Sequence, residues 1–110
     1  MIKCGVDIVL NKRIEDNIKN TGFLKKVFHA SELKNLKKLP GIFVLKEAVM
    51  KAVGKKLDWL DIEVDALEGK KPKIFIKGIK TNSIDCSISH DGEYTIGMVV
   101  IEEWGLGRFL

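Results

Sequence analysis

Three groups of residues have the types and spacing that chemistry uses. The first is Asp7. Ile2, Cys4, Val6 and Ile8 alternate with Lys3, Gly5 and Asp7 in a strand-like pattern. A carboxylate is out of place inside a strand, so Asp7 either caps a turn or has a partner: a cation, a backbone donor or a metal. The second group lies in the stretch from Phe43 to Gly54. Val44, Leu45, Ala48, Val49, Ala52 and Val53 fill one half of a helix there, while Lys46, Glu47 and Lys51 share the other half with Phe43 and Met50. That second half is too apolar for a fully solvated face, which suggests partial cover with the charges projecting into a cleft. Glu47 and Lys51 are i,i+4 neighbours, and as a plain surface ion pair they would stabilise the helix by only about 0.2–0.5 kcal/mol. The third group is Ser89 and His90, which end the strand pattern Ser87-Ile88-Ser89 beside Asp91-Gly92. A histidine there is either a turn residue bonded to backbone or part of a site.

The elements that must position these groups follow from periodicity and punctuation. Pro40-Gly41 precedes the central helix, and Gly54 suits its end. Asn11 can cap a helix through Arg13, Ile14 and Ile18 to Gly22. Phe23, Leu24, Val27 and Phe28 form an apolar stripe, and Ser31 can cap a second short helix with Leu33 and Leu36. Its lysines Lys34, Lys37 and Lys38, with Lys25 and Lys26 upstream, form a solvated face or a docking surface for an acidic protein. Strand patterns follow at Ile62–Val64, Ile74–Ile76, Ile84–Ile88 and Tyr94–Ile101, with turns at Gly69-Lys70-Lys71-Pro72 and His90-Asp91-Gly92. A strand, then helices, then hairpin-linked strands predicts an α+β class: a single small domain over residues 1–110, with a mostly antiparallel sheet packed on a central helix.

Composition bounds the function. With 110 residues, 45% hydrophobic and 31% charged, the chain reads as one soluble globular domain. No run approaches the ~20 apolar residues of a membrane span, and the start reads as a strand and not as a signal peptide. Cys4 and Cys86 lie in strand patterns and read as buried thiols of a reducing cytoplasm. A net charge of +4 suits an acidic or phosphorylated partner.

Taken together, Gly5-Val6-Asp7-Ile8, the helix Phe43-x-x-Lys46-Glu47-Ala48-x-x-Lys51-Ala52 and the strand end Ser87-Ile88-Ser89-His90 resemble the phosphopantetheinyl transferases, specifically the short holo-acyl-carrier-protein synthase type. Arg13-Ile14, Ser31-Glu32-Leu33, the Gly69-to-Pro72 turn and the valine-rich last strand extend the resemblance from about Met1 to Glu103. It implies transfer of the phosphopantetheine arm of coenzyme A to a serine hydroxyl of an acyl carrier protein, with adenosine bisphosphate leaving, as a step of fatty acid biosynthesis. It further implies Mg2+ on Asp7 and Glu47, with Asp7, Glu47 and Lys51 as the catalytic set. Coenzyme A contacts fall on Lys46, Lys51, Gly54, Ser89 and His90, the last two at the ribose phosphate. An acidic carrier would dock at Arg13, Lys25 and Lys26. A homotrimer with sites shared between subunits is implied as well, its interface supplied by Phe43, Met50 and the tail Trp104, Phe109 and Leu110; nucleic acid and membrane are not expected partners.

The chain departs from that family pattern at two positions. Leu10 stands where an acidic residue is common, which would leave the metal shell to Asp7 and Glu47. Ile42 stands where arginine, a phosphate or carrier contact, is common, so coenzyme A affinity would be either reduced or supplied by Lys55 or Lys56. These departures keep open a catalytically silent relative acting in binding or assembly. A small basic RNA-binding module is a further alternative, weakened by the lack of paired exposed aromatics on the strand patterns.

Overall fold

The computed structural model describes residues 1–54, 57–67, 69–80 and 83–102, with 79 and 80 as backbone alone. Two three-stranded antiparallel sheets share one core with a long helix. Strand β1 (Ile2–Leu10) leads into a one-turn helix α1 (Asn11–Glu15) and helix α2 (Thr21–Val27). Two 3-10 turns, Ala30–Lys34 and Leu36–Lys38, bring the chain to helix α3 (Leu39–Val53). After it come β2 (Ile62–Asp65), β3 (Lys73–Ile76), β4 (Ile79–Lys80), β5 (Ile84–Asp91) and β6 (Tyr94–Glu102). The strand orders are β1-β6-β5 and β2-β3-β4, every pairing antiparallel. The expected α+β class with a central helix is the one observed.

Helix α3 is the centre because it is buried nearly all round. Val44, Leu45, Ala48 and Val49 are wholly inaccessible, as the periodicity predicts. Gly54 ends the helix in the left-handed region at φ 71°, its N–H donating to Met50 O. Pro40 and Gly41 lie inside the first turn and not before it; the missing proline N–H costs nothing there. Phe43 is covered from within the chain: its ring stacks on Trp59 at 5.0 Å between centroids.

Two glycines let α3 lie close on the larger sheet. A Cβ on Gly5 would stand 2.0 Å from the Ala48 carbonyl oxygen, and one on Gly97 2.7 Å from Val44 Cγ2. The residues of β1 that face α3 are therefore Gly5, Asp7 and Val9, while Ile2, Cys4, Val6 and Ile8 face the open side. Cys4 is accordingly exposed and only Cys86 is buried, which corrects the expectation of two buried thiols. The open face of the sheet is apolar: Ile2, Val6, Ile8, Tyr94, Ile96 and Met98 are all exposed on it.

The segment before α3 also differs from expectation. The predicted helix from Asn11 to Gly22 stops at Glu15, and α2 starts near where it should have ended, capped by the Asn20 side chain accepting from Phe23 N–H. Asn11 is the first helical residue rather than the cap, and its Oδ1 accepts from Thr95 Oγ1. The expected helix after Ser31 is instead a pair of 3-10 turns, the first flanked by His29. Strand β5 runs through Asp91, so His90 is a strand residue and the turn is Gly92-Glu93.

Candidate active site

The site forms where β1 crosses the C-terminal half of α3. Asp7 sits opposite Gly97 in the β1–β6 register and on the α3 side of the sheet. Without the two glycine contacts the helix could not approach close enough for its side chains to reach that strand. Lys51 Nζ donates to Asp7 Oδ1 at 3.0 Å and to Val6 O at 3.1 Å. The Asp7 side chain is only 15% exposed, whereas that of Lys51 is half exposed. The partner that Asp7 needed is thus a cation, and Lys51 pairs with Asp7 rather than with Glu47.

Glu47 is half-buried on the same helix, one turn before Lys51. Burial pushes its carboxyl above the ordinary value, the negative charge of Asp7 pushes it further, and Lys51 and Arg13 pull the other way. Two carboxylates and two cations therefore share one electrostatic neighbourhood. Arg13, from α1, lies over the Phe43 ring with its guanidinium carbon 6.0 Å from the centroid. Glu47, Lys51 and Gly54 line a cleft of about 660 Å3 together with Lys26, Met50, Leu57, Asp58 and Trp59.

Two carboxylates in one electrostatic neighbourhood are a suitable seat for a divalent ion. Among the described residues no group of three or more His, Cys, Asp or Glu is placed to hold a metal. The donor set is thus two oxygens-only side chains, which fits Mg2+, an ion that keeps water and binds substrate phosphates alongside one or two carboxylates.

Lys46 does not enter this cleft. Its ammonium is wholly buried and donates to Glu32 Oε1 at 2.7 Å, Val27 O at 2.7 Å and Trp59 O at 3.3 Å. All three donors are used, so the expected phosphate contact is corrected to a structural role. Glu32 in turn accepts from the backbone N–H groups of His29 and Val64. Burial pushes the Lys46 ammonium down in spite of Glu32.

His90 and Ser89 lie elsewhere. They point to opposite faces of β5: His90 pairs across with buried Thr95, and Ser89 with Ile96 on the open face. His90 lines a second cleft, of about 470 Å3, at the N-terminal end of α3 with Gly41, Ile42, Lys37, Lys38 and Lys71. The two clefts have no lining residue in common. Gly41 and Glu47 are six residues apart, about 9 Å of helix rise. Within one chain the structure brings Asp7, Glu47, Lys51 and Gly54 together but leaves Ser89 and His90 apart from them. Leu10 faces the open side, away from Asp7, so an acid at that position would not have joined Asp7 in this chain. Ile42 is buried in the core, and Lys55 and Lys56 lie outside the described residues, as does the tail 103–110.

Sequence reasoning missed the second basic cleft and the polar chain behind His90. It also missed the packing role of Gly5 and Gly97. A glycine inside a strand signals close backbone approach, and that signal was available at both positions.

With this geometry in place, likeness to known proteins becomes informative. Residues 3–99 match the family model of the 4'-phosphopantetheinyl transferase superfamily. A curated relative, the holo-[acyl-carrier-protein] synthase of Finegoldia magna, is 39% identical, the match covering 91% of this chain and 95% of that protein. The crystal structure of the Helicobacter pylori holo-[acyl-carrier-protein] synthase in complex with coenzyme A superposes with a TM-score of 0.76 at 34% identity, over 93% of this chain and 100% of that one. A Bacillus anthracis holo-(acyl-carrier-protein) synthase structure, in complex with CoA (3',5'-ADP), gives a TM-score of 0.71 at 30% identity, over 91% and 95%. The chain belongs to the 4'-phosphopantetheinyl transferase superfamily, and the relatives just described are holo-[acyl-carrier-protein] synthases.

Proposed function

We propose that this protein transfers the phosphopantetheine group of coenzyme A to a serine hydroxyl of an apo acyl carrier protein. The observation that carries the reading is the meeting of Asp7, Glu47 and Lys51 where β1 crosses α3, in a chain of this family. In the reaction the seryl oxygen forms a bond to the phosphorus that carries the pantetheine arm. The pyrophosphate P–O bond breaks, and adenosine 3',5'-bisphosphate leaves with the electron pair. The hydroxyl proton passes to solvent or to one of the two carboxylates. Lys51 is half exposed at the cleft and can turn its ammonium from Asp7 to a phosphate oxygen, as a mobile point charge. Asp7 and Glu47 would hold Mg2+, which when bound supplies positive charge to the pyrophosphate oxygens.

The two clefts support a homotrimer with shared sites. Each chain carries the carboxylates near one end of α3 and the His90 cleft at the other. A cyclic assembly with one heterologous interface repeated can set the first cleft of one subunit against the second cleft of the next. The interface we favour is the apolar open face of β1 and β6, since Phe43 is covered by Trp59 of its own chain. A cytoplasmic setting is part of the same reading; two free thiols, which a reducing compartment keeps reduced, support it.

Both parts are testable. Sedimentation at micromolar concentration should report a trimer; a monomer contradicts the shared site. Glu47→Gln and His90→Ala proteins, each inactive alone, should recover part of the activity when mixed under conditions of subunit exchange. No recovery despite proven exchange overturns sharing.

A further inference from the structure

Behind His90 lies a chain of hydrogen bonds that fixes which of its ring nitrogens carries a proton. His90 Nδ1 and Thr95 Oγ1 are 2.9 Å apart, and Thr95 Oγ1 donates to Asn11 Oδ1 at 2.6 Å. Thr95 is wholly buried, and Asn11 is anchored by its own N–H donating to Glu93 O. An amide oxygen only accepts, so the single hydroxyl proton of Thr95 is committed to Asn11. Thr95 then has only lone pairs left for His90, and Nδ1 must be the donor. Nε2 has no protein partner among the described residues.

We propose that Thr95 and Asn11 are positioning residues that hold His90 as its Nδ1–H tautomer. The neutral ring thus offers only an Nε2 lone pair to the cleft and grips a phosphate oxygen only after taking up a proton. The second half rests on the reading of His90 as a coenzyme A contact. The cleft that His90 lines also carries Lys37 and Lys38 from the 3-10 turn and Lys70 and Lys71 from the turn before β3, with Lys71 paired to Asp85 of β5 at 2.9 Å, while Asp91 and Glu93 lie on the hairpin of His90 itself. Nucleotide binding at this cleft is then coupled to protonation of one histidine.

The chain contains its own control. Its only other histidine, His29, has Nε2 2.8 Å from the Leu60 carbonyl oxygen, an acceptor, so His29 must be the opposite tautomer, Nε2–H. Long-range 1H–15N spectra of the labelled protein, at a pH where both rings are neutral, read the two directly. The expected result is a pyrrole-type Nδ1 and pyridine-type Nε2 for His90, with the reverse for His29. Thr95→Ser should keep the His90 pattern, whereas Thr95→Val and Asn11→Ala should shift it toward a tautomer mixture and leave His29 unchanged. A wild-type His90 with Nε2–H, or a pattern unmoved by Thr95→Val, overturns the proposal without need of any ligand. Adding adenosine 3',5'-bisphosphate at the same pH should move His90 Nε2 to the protonated position. If the nucleotide leaves both His90 nitrogens unmoved, the phosphate contact and the proton uptake built on it fall, while the tautomer assignment stands on its own spectra.

Discussion

At the scale of one residue, the proposed role of Glu47 sets function against stability. Its carboxyl is raised above the ordinary 4.5 by burial and by Asp7. A raised folded-state pKa means the group favours folding while protonated, and that contribution is lost as pH rises through the folded value. Ionised Glu47 is therefore a strain on the free protein at neutral pH. Glu47→Gln, neutral at every pH, should melt at a temperature no lower than wild type in EDTA, with its advantage growing as pH rises from the ordinary carboxyl range through the raised folded value. The same variant should lose at least about 10²-fold in kcat/KM, the scale seen when one preorganised electrostatic group is removed from a reacting centre. Mg2+ should raise the melting temperature of wild type and not of the variant. A Glu47→Gln protein that is destabilised and still active would contradict this assignment. Lys46, its neighbour, makes the opposite case. Lys46→Met leaves Glu32 buried without its cation and should cost about 3–5 kcal/mol in urea unfolding. Adding Glu32→Gln in that background should recover part of the loss. An unchanged unfolding midpoint with a raised coenzyme A KM would restore Lys46 to the cleft. Helical spacing puts Lys46 on the charged half of α3. Only the fold of the 3-10 turn at Ala30–Lys34 brings Glu32 over it, and that turn has no periodic signature in the sequence.

At the scale of elements, the site depends on how closely β1 and α3 approach. Gly5→Ala would place its Cβ 2.0 Å from a backbone oxygen, which no side-chain adjustment relieves. The helix must lift, at the upper end of or above the usual 1–3 kcal/mol for overpacking, about 3 kcal/mol, and Lys51 should lose its bond to Asp7. The expected outcome is a folded protein with a lowered melting temperature and little transfer activity; normal activity would show that the approach is not required. The inner half of α3, its glycine end, β1 and the β5–β6 hairpin were all legible, because each follows from simple periodicity or a turn residue. What pattern could not tell was which face of β1 is inside. Ile2, Val6 and Ile8 look like core, yet Gly5, Asp7 and Val9 meet the helix because only a glycine admits it there. An alternating strand with an apolar open face reads the same from either side.

At the scale of the whole molecule, function depends on surfaces meeting other chains. Arg13 acts at the rim of the carboxylate site, and Lys26 lines its cleft. A carrier of acidic character should be steered to this edge by charge. Arg13→Glu should raise the carrier KM by about tenfold or more at low salt, the effect shrinking as salt screens it, and leave coenzyme A binding intact. An unchanged carrier KM at low salt would move docking elsewhere. Ser89 and His90 were legible as a motif, and the shared-site expectation already set them on a different subunit from Glu47; which end of α3 β5 packs against was not legible, since strand and helix patterns carry no such information.

Phosphopantetheine transfer itself can be read by mass spectrometry of an apo acyl carrier protein incubated with coenzyme A and this protein, with Mg2+ and with EDTA. The account predicts that the carrier gains the mass of one phosphopantetheine group on its serine, with release of adenosine 3',5'-bisphosphate, in Mg2+ only. It predicts no gain with Glu47→Gln. A carrier that stays apo with the intact, trimeric protein in Mg2+, or one modified equally well by Glu47→Gln, would contradict it.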